Sequence, residues 1–223
     1  MPAGEYSRRP IPCDNSLEVI AVLTSTLLTA TDKISVLQRL WGILHLDKAT
    51  VTSMAETTLP VLLQMRLSSP EVNYWLAAVL EAFTASTSVI IHKLPARDAV
   101  LTMLAKLLRV PDPMNAFVLS KCNAANAIAN LIQVGGEQAA QLIATDYSVA
   151  IVSSLCALLS LKNECSQVAC LRALWRLVFH CPHVRGTVSS HLENMSEFQS
   201  NKDIVRITEE LRPLLVQPEK PIK

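Results

Sequence analysis

Glycine is scarce in this chain: five among 223 residues, where average usage of roughly 7% would give about 16. So few glycines leave little room for phosphate-cradling loops or for many tight β-turns. Aromatic residues are also sparse, with three Trp, three Tyr and four Phe, so Leu, Ala, Val and Ile must do the packing. Neither sign of charge prevails, since 20 Lys and Arg against 19 Asp and Glu leave a net +1. That balance supplies no global field to draw the chain onto nucleic acid or an anionic membrane. No apolar run approaches the ~18 residues needed to cross a bilayer. Residues 1–12 carry Pro and Arg without an apolar stretch and do not read as a secretory signal. The catalytic fingerprints GxSxG, HExxH, GxxxxGK(S/T) and GxGxxG are all absent.

Half of the residues are hydrophobic, and the length suffices to bury a sizeable core in one large domain or two small ones. An all-α protein follows. The most informative segment is Lys121–Ile132, where Ala124, Ala125 and Ala127 lie beside Ile128 and Leu131. Apolar residues at i, i+3, i+4 and i+7 fit a helical period, and small side chains let a neighbouring helix approach closely. The pattern recurs as Val36, Leu40 and Ile43, as Leu76, Leu80 and Phe83, as Ala124, Ile128 and Leu131, and as Cys170, Leu174 and Leu177. First members are 40, 48 and 46 residues apart, and a period of ~40–47 belongs to helical solenoids.

Punctuation agrees with the period. Pro60 and Pro95 stand where a helix can begin, because proline costs nothing at the first helical position. Ser69-Pro70-Glu71 and the run Val110 to Pro113 mark the starts of long helices. Gly135-Gly136 ends another as a left-handed cap. The spacing predicts helices over about 16–30, 32–46, 49–57, 60–67, 70–86, 87–93, 95–109, 114–134, 136–145, 148–161 and 164–181. Two more charged helices are expected over 184–194 and 202–216.

The run 136–144, then 151–161, then 165–179 resembles one complete armadillo repeat of three helices. The segment Ala124 to Leu131 is similar to that family's third-helix signature, an Ala-rich face leading to Asn-Leu. The resemblance covers roughly residues 16–181 and is clearest in the last two units. It implies a right-handed α-solenoid of about four armadillo-like repeats with a C-terminal helical cap, in one domain over 16–216. Residues 1–15 and 217–223 are expected to be disordered tails.

In this family the third helices line a concave face, and its peptide-binding Asn lies just before the last core Leu. Asn130 matches that place, and the corresponding residues elsewhere are Gly42, Ala82 and Arg176. One turn earlier, on the same face, stand Gln38, Ala78, Asn126 and Arg172. One Asn in four is a departure from the family pattern, and it argues against ladder-like binding of a long extended peptide. The expectation is a graded groove, small or neutral in its first half and polar to cationic in its second. An apolar part of a partner segment would meet Gln38, Gly42, Ala78 and Ala82. An acidic part would meet Arg172 and Arg176, a pair able to hold a carboxylate bidentately. The plainer reading is a solvated polar helix face.

Six cysteines and five histidines raise the question of metal, with His180-Cys181-Pro182-His183 the best candidate. Zinc wants two matched ligand pairs, whereas Cys165 and Cys170, five apart on a helix, point about 140° away from each other. No metal or cofactor is expected, and free cysteine commonly behaves as a small core hydrophobe. Cysteines without tight pairing motifs suit a reducing compartment, cytoplasmic or nuclear. Trp41 and Trp175 occupy the same repeat position and are expected to pack between neighbouring units, and Trp75 is expected to pack in the core or at its edge. The expected function is a non-catalytic adaptor or scaffold for a protein partner within a larger assembly. Alternatives are a regulatory subunit of an enzyme and a nucleic-acid-binding repeat protein; acidic residues Glu193, Glu197, Asp203, Glu209 and Glu210 count against the last. Self-association through an imperfectly capped end is a further expectation.

Overall fold

A computed structural model describes residues 17–29, 31–46, 48–93, 97–161, 163–193 and 201–216. The expected tails, 1–15 and 217–223, lie outside the described residues. The chain is all-helical, and no strand occurs among the described residues. Among the described residues ten α-helices run in order: α1 Leu17–Thr26, α2 Lys33–Leu46, α3 Lys48–Leu62, α4 Pro70–Lys93 and α5 Arg97–Leu108. Then come α6 Val118–Asp146, α7 Ser153–Leu159, α8 Glu164–His180, α9 Arg185–Leu192 and α10 Lys202–Val216. A π-turn, Ser148–Val152, leads into α7, and a 3-10 turn, Pro182–Val184, leads into α9.

Short polar side chains start several of these helices. At α4, Ser69 Oγ accepts from Val72 N at 3.3 Å, and Pro70 takes the first helical position, where its missing N–H costs nothing. At α8, Asn163 Oδ1 accepts from Ser166 N at 3.0 Å. At α10, Asn201 Oδ1 accepts from Asp203 N and Ile204 N at 3.0 and 3.3 Å. At α2, Asp32 holds both the backbone N–H and the hydroxyl of Ser35, and these bonds to its charged form lower its pKa. α6 has no side-chain cap at its own first turn. The Asp112 carboxylate instead takes Phe117 N at 2.9 Å and lies 3.7 Å from the Lys121 ammonium.

Two expected boundaries move. Pro60 sits inside α3 rather than opening a new helix. Its neighbours Leu59 and Leu62 are buried, and that packing carries the helix past the one backbone bond that proline removes. α4 runs unbroken through the expected break at 86–87. The expected break at Gly135-Gly136 is present: Gly136, with φ 55° and ψ −139°, leaves the helical conformation and kinks α6 there. A side chain rarely adopts that backbone conformation, so glycine is required there. A Cβ built on it would meet nothing within 4 Å, so the requirement is conformational and not one of space.

Helices α2, α4, α6, α8 and α10 pack each against the next in that order. α3 and α5 flank α4, α5 also flanks α6, and α7 flanks α8, while α9 and α10 close the end against α7 and α8. One hydrophobic core runs through all of these contacts. Small residues are buried on both partners of the α4–α6 contact: Ala77, Ala78 and Ala82 on α4, and Ala124, Ala125, Ala127 and Ala129 on α6. The larger Phe83 of α4 and Ile128 of α6 are fully buried as well. Among the described residues no single helix is long and apolar enough to cross a membrane.

Candidate functional site

The groove expected from the sequence falls along one face of α2, α4, α6 and α8, and its two halves differ. On α2 and α4, Gly42, Ala78 and Ala82 are buried, Ala78 to 1% exposure, and Gln38 is half-buried. Close helix packing closes over the small residues, so Ala78 lies beneath the surface where an accessible apolar contact was expected. Trp41 explains part of the closure. It is buried, stacks on His45 at 4.0 Å between ring centroids, and meets the edge of Trp75 at 5.9 Å.

On α6 and α8 the same positions reach solvent. Asn126 and Asn130 are half-buried, Arg172 is exposed and Arg176 is half-buried. A recess of about 320 Å³ opens between the two helices, with Asn126 on one wall and Arg172 on the other. Cys165 lines it as the one exposed thiol among the described cysteines, and Asn201, the cap of α10, closes one end. The two arginines are near enough to repel. Arg176 is held below the ordinary guanidinium range, first by burial and then by the Arg172 charge.

These polar side chains already have partners within the chain. Asn126 Nδ2 donates to Glu81 Oε1 at 3.2 Å, and Asn130 Nδ2 lies 3.4 Å from Thr84 Oγ1. Arg176 donates to Gln133 Oε1 at 2.7 Å. One Arg172 nitrogen stands 3.6 Å from an Asp203 oxygen of α10, and Asp203 also lies 3.7 Å from Arg206. The arginines therefore do not stand as an empty carboxylate clamp. Arg172 faces a carboxylate of its own chain, in an exposed pair of the kind worth about 0–1 kcal/mol.

The sequence reading missed Phe179. It lies seven residues after Arg172 and three after Arg176, on the same face of α8, and is 58% exposed. Trp175, expected as packing, is half-buried with its ring 6.0 Å from that of Phe179. The face thus offers cations and an aromatic pair together. A Phe at the last turn of an amphipathic helix gives no signal that distinguishes it from core.

The other candidate chemistry falls apart. Cys165 is exposed and Cys170 buried, on different sides of α8. Cys181 is buried and His183 exposed. Among the described residues no group of three or more His, Cys, Asp and Glu is placed to hold a metal ion. Burial raises the thiol pKa values of Cys156 and Cys181 to about 11 and also raises that of the fully buried Cys170, as expected of thiols packed in a core.

No protein-family model matches the chain, and no curated protein matches it. Among solved structures it is similar to the crystal structure of an engineered protein from the Northeast Structural Genomics Consortium. The TM-score is 0.71 at 19% identity, over 88% of this chain and 78% of that one. A second engineered protein from the same consortium matches at 17% identity and a TM-score of 0.49, over 89% of this chain and 58% of that one. The first likeness places the chain among all-helical proteins of that fold and carries nothing about function.

Proposed function

We propose that the chain is an armadillo-like α-solenoid of about four repeats, capped by α9 and α10. In this reading it serves as a non-catalytic adaptor that binds a protein partner along the α6–α8 face. The observation that carries the reading is the recess between α6 and α8, which brings Asn126 and Arg172 together, with Asn130, Arg176 and Phe179 one to two turns further on. A partner segment with an aliphatic or aromatic anchor beside an acidic residue fits this face. Its ring or chain lies on Phe179 and Trp175, and its carboxylate competes with Asp203 for Arg172. The exposed Arg172–Asp203 pair costs little to exchange, whereas two guanidinium groups one turn apart gain when a carboxylate separates them.

The first half of the face, sealed over Ala78 and Ala82, holds the curvature of the stack and leaves binding to the second half. Cys122, Cys156, Cys170 and Cys181 are buried and unbridged, in keeping with a cytoplasmic or nuclear compartment.

The test is co-purification from the native cell with wild type and an Arg172→Glu/Arg176→Glu variant, both shown to be folded by circular dichroism. Partners that vanish with the variant support the groove. The same partners retained at the same level overturn it.

A further inference from the structure

A second recess, of about 750 Å³, lies away from the α6–α8 groove. Its walls are the end of α5, the 67–68 segment before α4 and the turn after α6. Asn73 at its inner wall is 1% exposed, while Thr102, Lys106, Arg109 and Asp146 at its rim are exposed. Thr102, Lys106 and Arg109 are spaced i, i+4, i+7 and so share one face of α5.

The polar groups here are unevenly spent. The Tyr147 hydroxyl donates to Asp98 O at 3.0 Å, pinning the turn after α6 onto α5. Asp146 accepts from Thr145 at 3.0 Å. Asn73 Oδ1 accepts from Ser68 N at 2.9 Å, but its Nδ2 is buried and has no partner. Neither Lys106 nor Arg109 has an ion-pair partner among the described residues. What remains on offer is two cations, partly offset by the Asp146 carboxylate at the same rim, and one buried amide donor, beside the apolar surface of Leu67 and Val110.

Cations in the last turn of a helix are favoured by its dipole alone. That accounts for Lys106 but for neither the apolar wall nor the amide, since a buried donor without a partner is costly and uncommon. We propose that this recess is a second docking site, independent of the α6–α8 groove, for an acidic peptide segment of a partner protein. An Asp or Glu of the segment meets Lys106 and Arg109, an aliphatic neighbour lies on Leu67 and Val110, and a backbone carbonyl is left for the Asn73 amide. A bare inorganic anion would engage the cations and leave the apolar wall unused. A recess of this size matches an extended stretch of a few residues.

The test is selection of phage-displayed random peptides on the full-length chain, followed by synthesis of the enriched peptides. Expected are sequences with Asp or Glu beside Leu, Ile or Val, whose binding by fluorescence polarisation weakens at least about tenfold in a Lys106→Glu/Arg109→Glu variant. An Arg172→Glu/Arg176→Glu variant should bind them unchanged, and the side-chain amide signal of Asn73 should shift in NMR titrations. Should charge reversal unfold the chain, Lys106→Gln/Arg109→Gln repeats the measurement. Peptides that bind the Lys106/Arg109 variant equally, or lose binding only with Arg172 and Arg176, overturn the proposal. So does a selection that enriches no acidic peptide while inorganic phosphate alone shifts the Asn73 signal.

Discussion

The two halves of the α2–α8 face present the same helical positions to the same side and do different things with them. At the places where α4 carries Ala78 and Ala82, α8 carries Arg172 and Arg176. The alanines are buried beneath close helix packing, while the arginines stand at or near the surface beside Phe179 and Trp175. Helical spacing therefore fixes direction and not exposure. Exposure follows from side-chain size, because small residues draw neighbouring helices together until nothing is left to touch.

Exchanging residues between the halves is the hardest test of that contrast. Ala78→Arg forces a large charged side chain into a packed, nearly inaccessible place and should cost about 3 kcal/mol or more. Arg172→Ala, at the matching position, should stay within about 0.5 kcal/mol of wild type. Urea unfolding of both variants measures the difference, and equal losses would mean that the two halves are not distinct. Next in size is Gly136→Ala, which forces a side chain into a positive-φ conformation at the kink of α6. It should destabilise by about 1–3 kcal/mol, read as a lower Tm. No change would mean that the kink relaxes without cost.

A smaller effect sharpens the comparison through pH. The buried thiols with raised pKa values, Cys156, Cys170 and Cys181, all lie in the second half of the molecule. Unfolded thiols ionise near 9.0, whereas folded Cys156 and Cys181 hold their protons to about 11. Above pH 9 the folded state therefore binds more protons than the unfolded one, and stability falls as pH rises toward 11. Combining Cys156→Ala with Cys181→Ala should flatten that decline in urea unfolding across the alkaline range. An unchanged slope would assign the alkaline loss to other groups.

Much of the helical order was legible because it is local. The spacing of Val36, Leu76, Ala124 and Cys170 placed α2, α4, α6 and α8, and the paired glycines marked the kink at Gly136. The small-residue face of Lys121–Ile132 announced a close contact, and α4 and α6 make it. The site was legible only as a set of positions. That Asn126, Asn130, Arg172 and Arg176 share a face followed from helical spacing. That Glu81, Thr84, Gln133 and Asp203 are their partners did not, because each pairing joins residues more than 30 positions apart on separate helices. Pro60 misled because a proline near the end of a helix looks the same in sequence as one at the start of the next. The Asn73 recess gave no sequence signal, since its walls come from three separate stretches of chain.

The strong helix contacts all join elements close in sequence, with each member of the α2–α10 file resting on the one before it. A chain of this kind closes only short loops on the way to its native state, so its relative contact order is low and its folding fast for its length. During synthesis from the N-terminus, each pair of helices can settle on the pair already formed as soon as it emerges. The α8–α10 segment, made after the helices it stacks on, carries the arginine face and the helices packed against α8. A ribosome-bound chain would thus complete its arginine face only after the helices that support it.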